Sequence, residues 1–210
     1  GLDRSYCDLA FVIARLSRLL IGTEAPIKEI ETSFYGQLED YADWLLVPVL
    51  SGVYDGFDRF NDHKAAARFI KEAGIEYTNR QVDAEKHFSN SLTIDILFEK
   101  TQNNLKRISV RGTVAESHLM VARINEFDGL YFEPTGPLLC CIYNDRPGVI
   151  AAISRRIADK GINIEDMRNP HDSKTGRSLV ILKLSQAIDD ETLAELSKEI
   201  EAESALCISL

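Results

Sequence analysis

Apolar positions recur along this chain with two different periods, and the change from one to the other divides it. In SYCDLAFVIARLSRLLI, residues 5–21, Leu9, Val12, Ile13, Leu16, Leu19 and Leu20 share one broad face, which predicts a helix. Ile27 to Leu38 alternates as a strand. Glu39 to Phe60 reads as helical, its start assisted by Asp40, with a kink or break at Pro48 and Gly52. Asp62 can cap a further helix through Phe69 and Ile70 that stops at Gly74, and Ile75 begins an extended segment. Period-two segments then cluster: Leu92 to Glu99, Ile108 to Val114, His118 to Ile124 and a short Leu130 to Glu133, separated by the polar turns TQNN and FDG. Helices followed by clustered strands, without regular βαβ alternation, predict an α+β domain, with Phe132 to Gly136 as its expected boundary.

Beyond that boundary the pattern is more regular. Strand 137–144, helix 147–160, strand 162–169, strand 177–185, helix 189–202 and strand 205–210 follow in βαββαβ order. Leu139, Cys141, Tyr143 and Asp145 alternate with their neighbours, so Tyr143 and Asp145 project from one face. Arg146 is held extended by the following proline. Pro147 suits the first turn of a helix, and Gly148 leaves the backbone open to close approach. Val149, Ile153 and Ile157 mark an apolar stripe, Gly161 ends the helix, and Asn163 opens the next strand between Ile162 and Ile164. Asp189 can cap the second helix, whose stripe is Leu193, Leu196 and Ile200, and the polar stretch HDSKTGR reads as a hairpin loop.

Composition narrows the functional classes. The hydrophobic fraction is 45%, the charged fraction 27% and the net charge −9, which argues against general nucleic-acid binding. The longest apolar stretch, Trp44 to Leu50, is too short to span a bilayer and contains Pro48. Asp3 and Arg4 precede only a mixed amphipathic segment, so no secretory leader is expected. Cys7, Cys140, Cys141 and Cys207 lack metal-like spacing and read as free thiols in a reducing cytoplasm. His63, His87, His118 and His171 are isolated and are expected on the surface or in loops, so no metal site is expected. No GxGxxG follows a strand, so no dinucleotide cofactor is expected on this chain.

The turn from Tyr143 to Val149 carries the candidate chemistry. A helix N-terminus near Pro147 favours a carboxylate, Asp145 supplies charge for an α-ammonium group, and Tyr143 and Asn163 can add hydrogen bonds. Together they suit a free amino acid. The alternative, a solvated strand–helix turn with Asp145 as a local cap, has about equal weight on the residues alone, such turns being common.

Residues 136–210, with YNDRPGVI and GINI, resemble an ACT domain, the ferredoxin-like βαββαβ regulatory module of amino-acid metabolism. The helix YCDLAFVIARLSRLL, the strand IKEIETSFYGQL and the run SVRGTVAESHLMVARINEFDGLYFEPTG resemble the intervening domain that precedes it in the long form of D-3-phosphoglycerate dehydrogenase. That resemblance implies a helical lead-in at 1–22, an intervening allosteric domain at 23–135 and an ACT domain at 136–210. It implies the regulatory part of an NAD-dependent enzyme of serine biosynthesis, with NAD held by catalytic domains outside this chain. L-serine or a similar small amino acid would bind at Tyr143, Asp145, Arg146, Pro147, Gly148, Val149, Asn163 and Ile164, with self-association through paired ACT domains. Arg123 and Arg111 match a possible anion site, beside Gly112 and Thr113. A second resemblance is to the small subunit of iron–sulphur L-serine dehydratase, of similar length and domain order, although its PSSSHT-type motif and a grouping of cysteines are missing here. A free-standing ACT amino-acid sensor is the third reading.

Overall fold

A computed structural model describes residues 1–82 and 89–210; His87 lies outside the described residues. The fold is α+β and divides into two compact units. Unit 1 comprises Gly1–Asn125 and Tyr131–Glu133; unit 2 comprises Glu126–Leu130 and Pro134–Leu210.

Unit 1 is built on a five-stranded sheet of order β2-β1-β3-β4-β5, from β1 (Ile27–Tyr35), β2 (Glu76–Asn79), β3 (Ser91–Thr101), β4 (Asn104–Ala115) and β5 (His118–Ile124). The β1–β2 pair is parallel and the other pairs are antiparallel. Helix α1 (Arg4–Ile21) starts where the Asp3 carboxylate accepts from Ser5 N at 3.0 Å, and its buried Leu9, Ile13 and Leu16 form the stripe read from the sequence. It packs on β4, β3 and α2 (Ala42–Val53) and lies within unit 1. The reason is a close fit. A Cβ on Gly112 of β4 would lie 2.5 Å from Ile13 Cδ1, and one on Gly52 of α2 would lie 2.7 Å from Ala14 Cβ.

The expected helix from Glu39 to Phe60 takes another form. Gly36–Tyr41 is a 3₁₀ turn, α2 ends at Val53, and residues 54–60 are turns. Pro48 lies inside α2 without ending it; the carbonyl four residues back that loses its N–H partner is that of Trp44. Every residue from Leu45 to Val53 is buried. Helix α3 (His63–Ala73) is capped by Asp62, whose carboxylate accepts from Ala65 N at 2.7 Å, and stops at left-handed Gly74. The strand expected over Leu130–Glu133 reduces to one bridge, Phe132 to Val121.

Unit 2 runs β6 (Pro137–Asn144), α4 (Val149–Asp159), β7 (Ile164–Arg168), β8 (His171–Asp172), β9 (Arg177–Leu184), α5 (Asp190–Glu199), β10 (Ser204–Ser209). Its sheet has the order β10-β6-β9-β7, with short β8 also on β9. Leu139, Cys141 and Tyr143 of β6 and Val180, Leu182 and Leu184 of β9 present one face to Ile153, Ile157 and Leu196 of the helices. Burying each of these large side chains contributes about 2 kcal/mol. Arg156 ties α4 to α5 through Glu195 and Glu199, each at 2.5 Å.

Candidate functional site

After Asn144 pairs with Arg177, Asp145 N donates to Gly176 O at 2.8 Å and the chain leaves the sheet. Arg146, Pro147 and Gly148 turn it into α4, which begins at Val149, two residues later than Pro147. Gly148 caps the helix with φ 92° and ψ −13°, a left-handed conformation that a side chain resists. A Cβ there would meet nothing within 4 Å, so the backbone is open on that side. Gly148 has no side chain with which to cap the first N–H groups of α4, and these groups with the helix dipole suit an anionic oxygen.

Asp145 stands beside this helix end, its side chain about half exposed. Its Oδ1 accepts from Ser178 Oγ at 2.9 Å, and its Oδ2 lies 3.4 Å from His171 Nδ1. Ser178 is paired with Tyr143 on one side and with His171 on the other, so the sheet register assembles this cluster. Ser178 and His171 were not legible as partners of Asp145. Their only sequence signal was the hairpin that folds β9 back onto β8.

The structure places other expected ligands differently. Tyr143 is 1% exposed, and its hydroxyl accepts from Asn169 Nδ2 at 2.9 Å. Burial pushes its phenol up, so it supports the turn from within as a neutral group. Val149 is buried in the core with Ile153. Arg146 reaches the end of α5, donating to Ile200 O at 2.7 Å with Glu201 at 3.8 Å, a favourable place for a cation. Asn163 exchanges hydrogen bonds with Ser185 through its backbone: its N donates to Ser185 Oγ at 3.0 Å, and its O accepts from Ser185 N at 2.9 Å.

Asn163 and Ile164 also lie at the far end of the sheet from Asp145. Asn144 is level with Arg177, whereas Ile164 is level with Leu184, seven residues along β9. At about 3.3 Å per residue this separates the two ends by roughly 23 Å. Helix α4 carries the chain back across that distance. Within one chain Asp145 and Asn163 therefore do not meet.

In unit 1, Arg111 and Arg123 face each other across β4 and β5. Arg123 donates to Asn125 O and Ser109 Oγ, both at 2.9 Å, which binds it into its own hairpin. Neighbouring Gly112 serves the close approach of α1. A cavity of about 430 Å³ lies elsewhere, lined by Arg18, Tyr54 and the ends of α1 and α3. There Arg18 donates to Ala25 O at 2.7 Å and its guanidinium lies over the Tyr54 ring, 5.8 Å from its centroid. Burial pushes the Tyr54 phenol up to about 12.

No family model matches the chain. Over 201 residues it is 31% identical to the probable L-serine dehydratase beta chain of Bacillus subtilis strain 168, an overlap of 94% of this chain and 88% of that one. The chain belongs to the L-serine dehydratase beta-chain family. It is also 24% identical over 192 residues to D-3-phosphoglycerate dehydrogenase of the same bacterium, covering 90% of this chain and 34% of the dehydrogenase. The dehydrogenase of Archaeoglobus fulgidus is 24% identical over 197 residues, covering 92% of this chain and 36% of that protein. The chain thus spans about a third of the length of these dehydrogenases.

Among the described residues the thiols do not form a set fitted to an iron–sulphur cluster. Cys140 and Cys141 are buried in adjacent, oppositely directed positions of β6, and Cys141 alone joins the helix-side core. Burial raises both thiols, Cys141 to about 12, which disfavours the thiolate that a metal needs. Among the described residues no group of His, Cys, Asp and Glu could hold a metal ion, and no helix is long and apolar enough to cross a membrane.

Proposed function

We propose that this chain acts as the beta chain of an L-serine dehydratase, and that unit 2 is an ACT-like sensor for L-serine or a similar small amino acid. The overlap with nearly the whole of a dehydratase beta chain carries the first part. The open helix end at Gly148 beside the Asp145 carboxylate supports the second. An amino acid's carboxylate would take the first N–H groups of α4 and its ammonium group the Asp145 oxygens.

The separation of Asp145 from Asn163 supports a site shared between two copies of unit 2 in the assembly. Two copies paired head to tail would bring Asp145 of one to Asn163 of the other, giving two equal sites. Calorimetry tests this directly. L-serine binding should fall about tenfold or more in Asp145→Ala and in Asn163→Ala, the loss of a charge-assisted contact. An equimolar mixture of the two variants should regain part of the binding, since each mixed pair rebuilds one intact site. Unchanged affinity in both variants removes the site, and a mixture that stays inactive removes the shared arrangement. The dehydratase role requires that the chain, combined with its companion chain, release pyruvate and ammonia from L-serine.

A second reading is the regulatory end of a D-3-phosphoglycerate dehydrogenase, favoured by the matches that cover 90% and 92% of this chain. A native polypeptide about three times as long, oxidising 3-phosphoglycerate with NAD, would establish it in place of the first. Both readings share the amino-acid site, so serine binding alone does not separate them.

A further inference from the structure

We infer that His171 makes the amino-acid site sensitive to pH, its imidazolium competing with the ligand's ammonium group for Asp145; the inference rests on the proposed reading of that site. Asp145 Oδ1 already accepts from Ser178 Oγ at 2.9 Å, which leaves Oδ2 as the freer acceptor for an ammonium group. His171 Nδ1 stands 3.4 Å from that same Oδ2 and 3.4 Å from Ser178 Oγ. One carboxylate oxygen is therefore the target of two cations, one from the protein and one from the ligand. The ring is held in place by the chain around it. Asn169 Nδ2 donates to the Tyr143 hydroxyl at 2.9 Å and to Leu179 O at 3.0 Å, Leu179 N donates to Pro170 O at 3.1 Å, and β8 pairs His171 with Ser178. Ser178 is in turn paired with Tyr143, and paired residues point to one face of a sheet, the face that Tyr143 shares with Asp145. The imidazole is about half exposed, so its proton exchanges freely with water.

The other charged groups near the ring are engaged elsewhere. Asp172 and Arg177 form the next pair along β8 and β9, on the opposite face. Asp172 accepts from Thr175 N at 3.1 Å and Thr175 Oγ1 at 2.6 Å, and Thr175 with Lys174 holds its carboxyl below the usual range. Arg177 donates to Glu126 and Glu203, and Arg146 turns to Ile200 O and Glu201. On the face of His171 itself, the Tyr143 phenol is pushed up by burial and stays neutral, and Val149 and Ile153 of α4 are apolar. Imidazole is the side chain whose charge changes between about pH 5 and 8, a range across most of which free serine stays a zwitterion. At the acid end the imidazolium pairs with Oδ2, and an incoming ammonium group meets a carboxylate whose charge is already balanced. At the alkaline end the carboxylate is left to the ligand. Proton and ligand share one oxygen, so each weakens the other by the same factor.

Calorimetry of L-serine binding to the full chain at about pH 5.5 and about pH 8 tests this. Affinity should be about fivefold weaker at the lower pH, the measure of an exposed ion pair. Binding near pH 6.5, about the midpoint of an imidazole, should also release a proton, read from the dependence of the heat on the buffer's ionisation enthalpy. His171→Gln keeps a hydrogen-bonding side chain without the charge. That variant should bind at the lower pH about as tightly as the unaltered chain does at the higher, with no proton released. Equal affinity at both pH values in the unaltered chain, or the same pH dependence in His171→Gln, overturns the role of His171 and leaves the amino-acid site standing. Absence of L-serine binding at both pH values overturns the site and the competition together.

Discussion

Unit 1 and unit 2 are both sheets overlaid with helices, yet glycine does different work in each. In unit 1, Gly52 and Gly112 remove a side chain where α1 presses close, and an added Cβ would collide with Ala14 or Ile13. In unit 2, Gly148 has open space around it and is needed for its left-handed backbone. The first use closes a core, and the second leaves an opening. A sheet–helix unit can therefore gain a recognition turn without any change to its packing, because the conformation of one cap residue is independent of the contacts beneath it.

Substitutions can break or sharpen this contrast. The largest expected effect is Leu196→Ala in the fully buried core of unit 2, a loss of about 3 kcal/mol by chemical denaturation. A loss below about 1 kcal/mol would show that this core is loosely formed. Next comes Gly52→Ala, destabilising unit 1 by about 2 kcal/mol through collision with Ala14 Cβ and the Arg15 backbone. Gly148→Ala should cost only about 1 kcal/mol, from backbone strain, but should also weaken L-serine binding. If Gly148→Ala proves costlier than Gly52→Ala, the distinction between closing and opening glycines fails. The smallest effect concerns Asp189, whose carboxyl is held below its usual range by the Thr192 N–H at 2.7 Å. A lowered folded pKa stabilises above the ordinary carboxylate pKa and loses that contribution as pH falls through the folded value. The urea midpoint of unit 2 should thus fall below about pH 4, and Asp189→Asn should flatten part of that fall.

Local signals were the most legible. Asp62 and Gly74 bound α3 and Asp189 starts α5 as read, because each of these signals acts within a few residues, whereas of the expected HDSKTGR loop His171 and Asp172 form β8 and Arg177 opens β9. Pro48 does not end α2, and the helix stops at Val53, one residue after Gly52, so the helix end falls at only one of the two residues named for a kink or break. Alternation put Tyr143 and Asp145 on one face, but it could not tell that the helices cover Tyr143 and stop short of Asp145. Asn163 is grouped with Asp145 by the hydrogen bonds it can offer and by the resemblance, and within one chain the return through α4 separates them. His171 and Ser178 reach Asp145 only through the pairing of β6, β8 and β9, which is a long-range property.

The crossing of the chain between its two units has a practical result for anyone trying to dissect it. Residues 126–130 belong to unit 2 and residues 131–133 return to unit 1. A protease or a cloning scheme that cuts after Asn125 strips Phe132 from its bridge to Val121, whereas one that cuts after Glu133 removes Glu126 from Arg177 and Leu130 from Arg168. Neither half comes away whole from a single cut, so clean separate halves call for overlapping fragments that both carry 126–133.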